Sequence, residues 1–204
     1  MLELYLLCNF FSSPVRGIYC DILHIFDLQI LPDSLWSSIL ELTNNGQQSL
    51  LNNLWHSYSG WCKDNRIDHS ARAKQKLFNR KILVSPTSYT HLSQKFLKGL
   101  AARMMIFWIT PILHEEALKH PQDVHQVYRA NLFIALSRIY SIVAEQPKFL
   151  SYSAKEEIQE MYLAFRDAYS FLASSSLRLN ILRWPVYPKL HASEHLLLSS
   201  QSVT

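Results

Sequence analysis

His191 and His195 stand four residues apart, with Glu194 beside the second, near the end of a 204-residue chain. On a helix that spacing puts both imidazoles on one face. An H-x-x-E-H pattern is one way to hold a zinc ion: the histidines ligate, the glutamate activates a water, and a further acidic ligand comes from elsewhere. Nine residues follow His195 and none is acidic. Glu115 could supply that ligand only in a rewired fold. Two satisfied histidines at a helix start are the ordinary outcome, and that is the reading adopted, with zinc kept as the alternative.

Asp21 and His24 form a second constellation. An acid closing an apolar run is where an RNase H-like nuclease places a Mg²⁺ carboxylate. Two-metal chemistry needs more carboxylates converging on the site, and Asp27, Asp33 and Glu41 lie close in sequence with no evident partner strand. A structural role is preferred, with Asp21 capping and His24 hydrogen-bonded at a turn. Cys62 has His56 six residues upstream, yet a buried helical thiol is expected there rather than a nucleophile. The chain has no G-x-S-x-G, and with four glycines it carries neither a P-loop nor a dinucleotide-binding fingerprint.

Charge points to one segment. Arg66, Arg72, Lys74, Lys76, Arg80 and Lys81 face Asp68 alone as counter-charge, in a chain of net charge +4. Such a cluster can touch phosphates, making DNA a candidate partner. A solvated helix face is the bland reading and the preferred one. Cys8, Cys20 and Cys62 are widely spaced with no C-x-x-C, as in a reduced intracellular protein. Neither the Met1–Cys8 start nor the Met104–Ile109 run is long enough to span a bilayer, so no membrane partner is expected and the second run reads as core.

The elements that must position these residues are mainly helical. With nearly half of the residues apolar, a real core is expected. Residues 1–31 read as strand-like, with one or two marginal strands. Residues 32–198 read as helical and 199–204 as a frayed tail, within a single domain. Pro32-Asp33-Ser34 starts a helix that Asn44-Asn45-Gly46 ends. Leu50, Leu51, Leu54, Trp55, Tyr58 and Trp61 stripe the next. The basic segment reads as helical from Asp68 to Phe78. A long helix follows from near Leu92, kinked or ended by Pro111. The last two helices form an antiparallel pair across a short loop, with Ser153 and Glu156 as a capping box. The expected fold is a bundle of about six or seven helices.

Four segments, taken in order, carry a resemblance. Val15–Ile30 (VRGIYCDILHIFDLQI) resembles a D-x-[ML]-H-x-x-[DE]-x-G segment, and Lys95–Pro111 (KFLKGLAARMMIFWITP) an L-K-G-x-A-A-R helix. The helix pair follows, and then Arg183-Trp184 with Pro188, Lys189, His191 and His195 resembles W-x-x-x-P-K-x-H-x-x-x-H. The order is similar to that of multicopy helical proteins predicted from algal genomes. More distantly, it resembles the C-terminal part of Plavaka- and KDZ-type DNA transposases with an RNase H-like core. The resemblance assigns Asp21 to the strand-end acid and His24 to its histidine. It assigns Lys98, Gly99 and Arg103 to the central helix, and Lys189, His191 and His195 to the terminal motif. Gln29 stands where the family has glycine. The resemblance puts the first catalytic acid upstream of Met1 and the last downstream of Thr204, so an internal fragment or decayed copy is expected. What it implies is a catalytically incomplete protein that binds other protein or, weakly, nucleic acid. It requires no cofactor and would place the chain in the nucleus. The alternative is a Mg- or Zn-dependent hydrolase or nuclease using Asp21 with His24, or His191 with Glu194 and His195.

Overall fold

A computed structural model describes residues 23–84, 97–145 and 150–186. Among them every regular element is helical, as expected. Six α-helices follow a π-helical entry at Leu23–Ile30: α1 (Leu31–Leu42), α2 (Gln48–Asp64), α3 (Arg80–Leu83), α4 (Gly99–Lys119), α5 (Val124–Glu145) and α6 (Tyr152–Arg178). The described end of the strand-like segment is therefore helix. Phe26, Asp27 and Ile30 are all buried, and spacings of three and four put them on one face only if the chain coils. The β-branched and aromatic content that suggested strand yields to that tertiary demand. The strands expected before residue 23 lie outside the described residues, as does the tail.

α4 is the spine. Ala101, Ala102, Met105, Ile106, Trp108, Ile109 and Leu113 are all buried, because α1, α2 and the π-helical entry pack on one side and α5 on another. The helix runs through Pro111 to Lys119 instead of ending there. The Thr110 hydroxyl turns back to the Ile106 carbonyl at 2.7 Å, which supplies polar contact one residue before the missing proline N–H.

α5 and α6 are antiparallel. Tyr128 near the start of α5 stacks on Phe171 near the end of α6, with centroids 4.1 Å apart. Arg138, late in α5, reaches Glu157, early in α6, at 2.5 Å. The cap of α6 is Ser151, whose hydroxyl accepts from the Ala154 N–H at 3.1 Å; the cap expected at Ser153 lies two residues too late. Both serines precede the same apolar stripe, so pattern alone did not separate them.

α1 is buried from Leu31 to Leu40, polar residues included. Two of its three serine hydroxyls are bonded within the protein, while Ser38 Oγ is buried without a hydrogen-bond partner. Ser34 donates to the Ile30 carbonyl at 2.8 Å, and Ser37 accepts from the Trp184 N–H at 3.1 Å. Asn44, Asn45 and Gly46 then take positive φ values of 47°, 63° and 80° and reverse the chain into α2, as the Asn-Asn-Gly signal predicts.

Candidate functional site

Two acids with no evident role in the sequence turn out to be hubs. Asp27 is fully buried in the π-helical entry. Its Oδ2 accepts from Arg103 Nε on α4 at 2.8 Å and pairs with the same guanidinium, while Oδ1 accepts from the Tyr140 hydroxyl on α5. The guanidinium also lies 5.3 Å from the Tyr140 ring centroid. Burial and the adjacent Asp27 carboxylate push the Tyr140 phenol well above its usual range, so it stays protonated as a donor. Asp27 stands at the [DE] position of the first resemblance segment and Arg103 at the arginine of the second. The structure joins these two motifs through an ion pair.

Glu41, at the end of α1, holds the second hub. Its Oε1 accepts from Trp184 Nε1 at 2.8 Å and lies 3.1 Å from His125 Nε2. Oε2 accepts from Arg129 at 2.8 Å, and the Arg183 guanidinium stands 3.6 Å from Oε1. Burial alone would raise the Glu41 pKa. The His125 hydrogen bond, the charge on Arg129 and the Trp184 indole outweigh it and hold the carboxyl at about 2. Trp184 is buried with a φ of 53°, and the Tyr169 hydroxyl donates to the next residue, Pro185, at 2.8 Å. Arg183-Trp184-Pro185 is thus clamped to the bundle. As residue types the two hubs resemble active sites, but every carboxylate oxygen already accepts from a protein donor. That leaves little for a metal or a substrate proton.

The basic segment is a strap. From Ile67 to Val84 it runs back along α2, two 3-10 turns (His69–Ala71 and Gln75–Phe78) and α3 replacing the expected continuous helix. The reason is side-chain capture. Asp68 caps its own turn, accepting from Ser70 N at 2.7 Å, and the Ala73 N–H donates to the Tyr58 hydroxyl at 3.0 Å. Gln48 donates to the Phe78 carbonyl at 3.1 Å and accepts from the Arg80 N–H at 3.1 Å; Trp36 Nε1 donates to the Leu83 carbonyl at 2.7 Å. Ala71, Ala73, Leu77, Phe78 and Leu83 face inward, while Arg66, Lys74, Lys76, Arg80 and Lys81 are exposed. Arg72 is half-buried and donates to the Ile67 carbonyl at 2.8 Å. The Asp68 carboxyl is turned on Ser70, whose hydroxyl and backbone N–H lower its pKa.

Of the other candidates, Lys98 is exposed just before α4 and Gly99 is buried at its start. Cys62 is a buried free thiol. Asp21, the His24 side chain, Pro188, Lys189, His191, Glu194 and His195 lie outside the described residues. Among the described residues no three His, Cys, Asp or Glu side chains gather as a metal-binding group, and no helix is long and apolar enough to cross a membrane. Compared with known proteins, the chain matches no family model, no curated protein and no solved structure.

Proposed function

We propose that this chain is a transposase-derived helical protein that acts by binding, contacting nucleic acid phosphates through the strap without carrying strand transfer itself. The observation that carries the reading is the strap's construction. Its inner face is core and its backbone is tied to α1 and α2 at both ends and in the middle, so the outward cations sit on a fixed frame. Arg66 stands just past one end of α2, and Arg80 hydrogen-bonds Gln48 at the other. Seventeen residues of helix separate these ends by about 25 Å, roughly seven steps of a DNA strand. The order of the resemblance segments supports the transposase origin, and the Asp27–Arg103 pair gives two of them a shared structural purpose.

Five exposed cations each neutralising one phosphate would give a salt slope of about −4.5 on duplex DNA, or roughly 500-fold weaker binding at 200 mM salt than at 50 mM. Titrating labelled duplex across that range tests it. Changing Lys74, Lys76, Arg80 and Lys81 to glutamine should flatten the slope by about 3 to 4. Absence of binding at low salt would refute the nucleic-acid role and leave protein interaction as the function of the same surface.

A further inference from the structure

Building on the strap reading, we propose that its preferred ligand is single-stranded nucleic acid, with unpaired bases stacking on Trp55 and Trp61. Trp55, Tyr58 and Trp61 follow one another at steps of three along α2, a continuous aromatic ridge. Tyr58 is fully buried, 6.2 Å from the Trp55 ring and 6.4 Å from the Trp61 ring. The two indoles that flank it pack against the core but keep part of their surface exposed.

Both indoles border the strap. The Trp55 ring lies 5.6 Å from that of Phe78, which in the chain stands between Lys76 and Arg80. Trp61 stacks on Tyr58 at an interplanar angle of 18°, and the Tyr58 hydroxyl accepts from Ala73, between Arg72 and Lys74. Partly open rings for bases therefore lie beside the segment that carries the cations for phosphates. This combination defines sequence-tolerant single-strand binding. A duplex keeps its bases paired and stacked, so it offers this surface its phosphates but no free base face. A single strand offers both.

The chain reports on this directly. Of its five tryptophans, Trp36, Trp108 and Trp184 are buried, so a stacking base can quench only Trp55 and Trp61. Intrinsic fluorescence of the full chain would be titrated with oligothymidylate and, separately, with a hairpin duplex of equal phosphate number. We expect quenching by the single strand and tighter binding than to the duplex. Trp55→Leu or Trp61→Leu should weaken single-strand binding about tenfold and leave duplex binding unchanged. Thermal melts would confirm that the variants fold, and if they do not, the wild-type quench and affinity order decide. Equal affinity for both ligands without quenching, or tighter duplex binding, would overturn single-strand preference and leave the strap reading intact. Failure to bind either ligand at low salt would overturn both.

Discussion

Replacing Glu41 with glutamine keeps the shape of the second hub and removes its charge. Arg129 and Arg183 would then face each other across a neutral amide, with His125 and the Trp184 indole keeping at best one acceptor. The wild-type carboxyl is held at about 2 against a reference of 4.5, and its side chain is 9% exposed, so solvent screening takes little from it. That difference corresponds to about 3 kcal/mol of folding stability. Breaking a buried pair by removing one partner points to the same size, about 3 to 5 kcal/mol. For a chain of this length the melting temperature should fall by roughly 10 °C at pH 7.

The sign follows from the depressed pKa. The Glu41 contribution is fully present above pH 4.5 and is lost as pH falls from there through about 2. Urea denaturation of both proteins at several pH values isolates it, since all other carboxyls are common to the pair. Their stabilities should differ by about 3 kcal/mol near neutrality and converge toward pH 2. A gap below about 1 kcal/mol at pH 7, or one that persists unchanged into acid, would refute the assignment of Glu41 as the charged hub.

Asp27→Asn should destabilise by about 3 kcal/mol and Tyr140→Phe by about 1 to 3, with a double-mutant coupling above 0.5 kcal/mol in chemical denaturation, because both act on one carboxylate. Gly46→Ala should cost more than about 1 kcal/mol, read as a lower urea midpoint. Its φ is +80°, and the new Cβ would lie 2.7 Å from Val84 Cγ2. Adding Val84→Ala should recover the contact but leave the backbone cost. Trp184→Phe removes the indole N–H from Glu41 and should cost about 1.5 to 3 kcal/mol, with greater protease sensitivity beyond residue 180 as the local readout.

Helices were legible wherever one periodicity ran unbroken. Val127, Leu132, Ala135, Leu136 and Ile139 on α5 and Ile158, Tyr162, Phe165, Ala168 and Tyr169 on α6 define their faces without help, and Asn44-Asn45-Gly46 marks its turn by chemistry alone. The strap was misread because its inward residues, Ala71, Ala73, Leu77, Phe78 and Leu83, follow no single period. Their placement is set by partners such as the Tyr58 hydroxyl and Gln48, which belong to another helix. The hubs were hidden for the same reason at longer range. Arg103 is 76 residues from Asp27 and Tyr140 is 113; Trp184 is 143 from Glu41. No spacing rule for helix or strand reaches across such distances, so both acids looked isolated.

The placement of charge also changes how the resemblance should be weighed. A motif of Asp, Arg and Trp invites a catalytic reading, but chemistry needs a carboxylate oxygen that water, metal or substrate can still approach. Asp27 has one oxygen on Arg103 and the other on Tyr140; Glu41 is held from both sides by Arg129, His125 and Trp184. Desolvating these acids would be costly without such partners, and removing a partner would be costlier than never burying the pair. Motif residues of this kind can be retained by the fold alone, whether or not a reaction is retained with them. The strap is arranged in the opposite way: its apolar residues and backbone are committed to the core, and its cations are turned to solvent. The binding proposed for that surface should therefore change on substituting Lys74, Lys76, Arg80 or Lys81 without touching either hub. Affinity and stability should separate cleanly in the corresponding variants, which would not be so if the basic residues were part of what holds the bundle together.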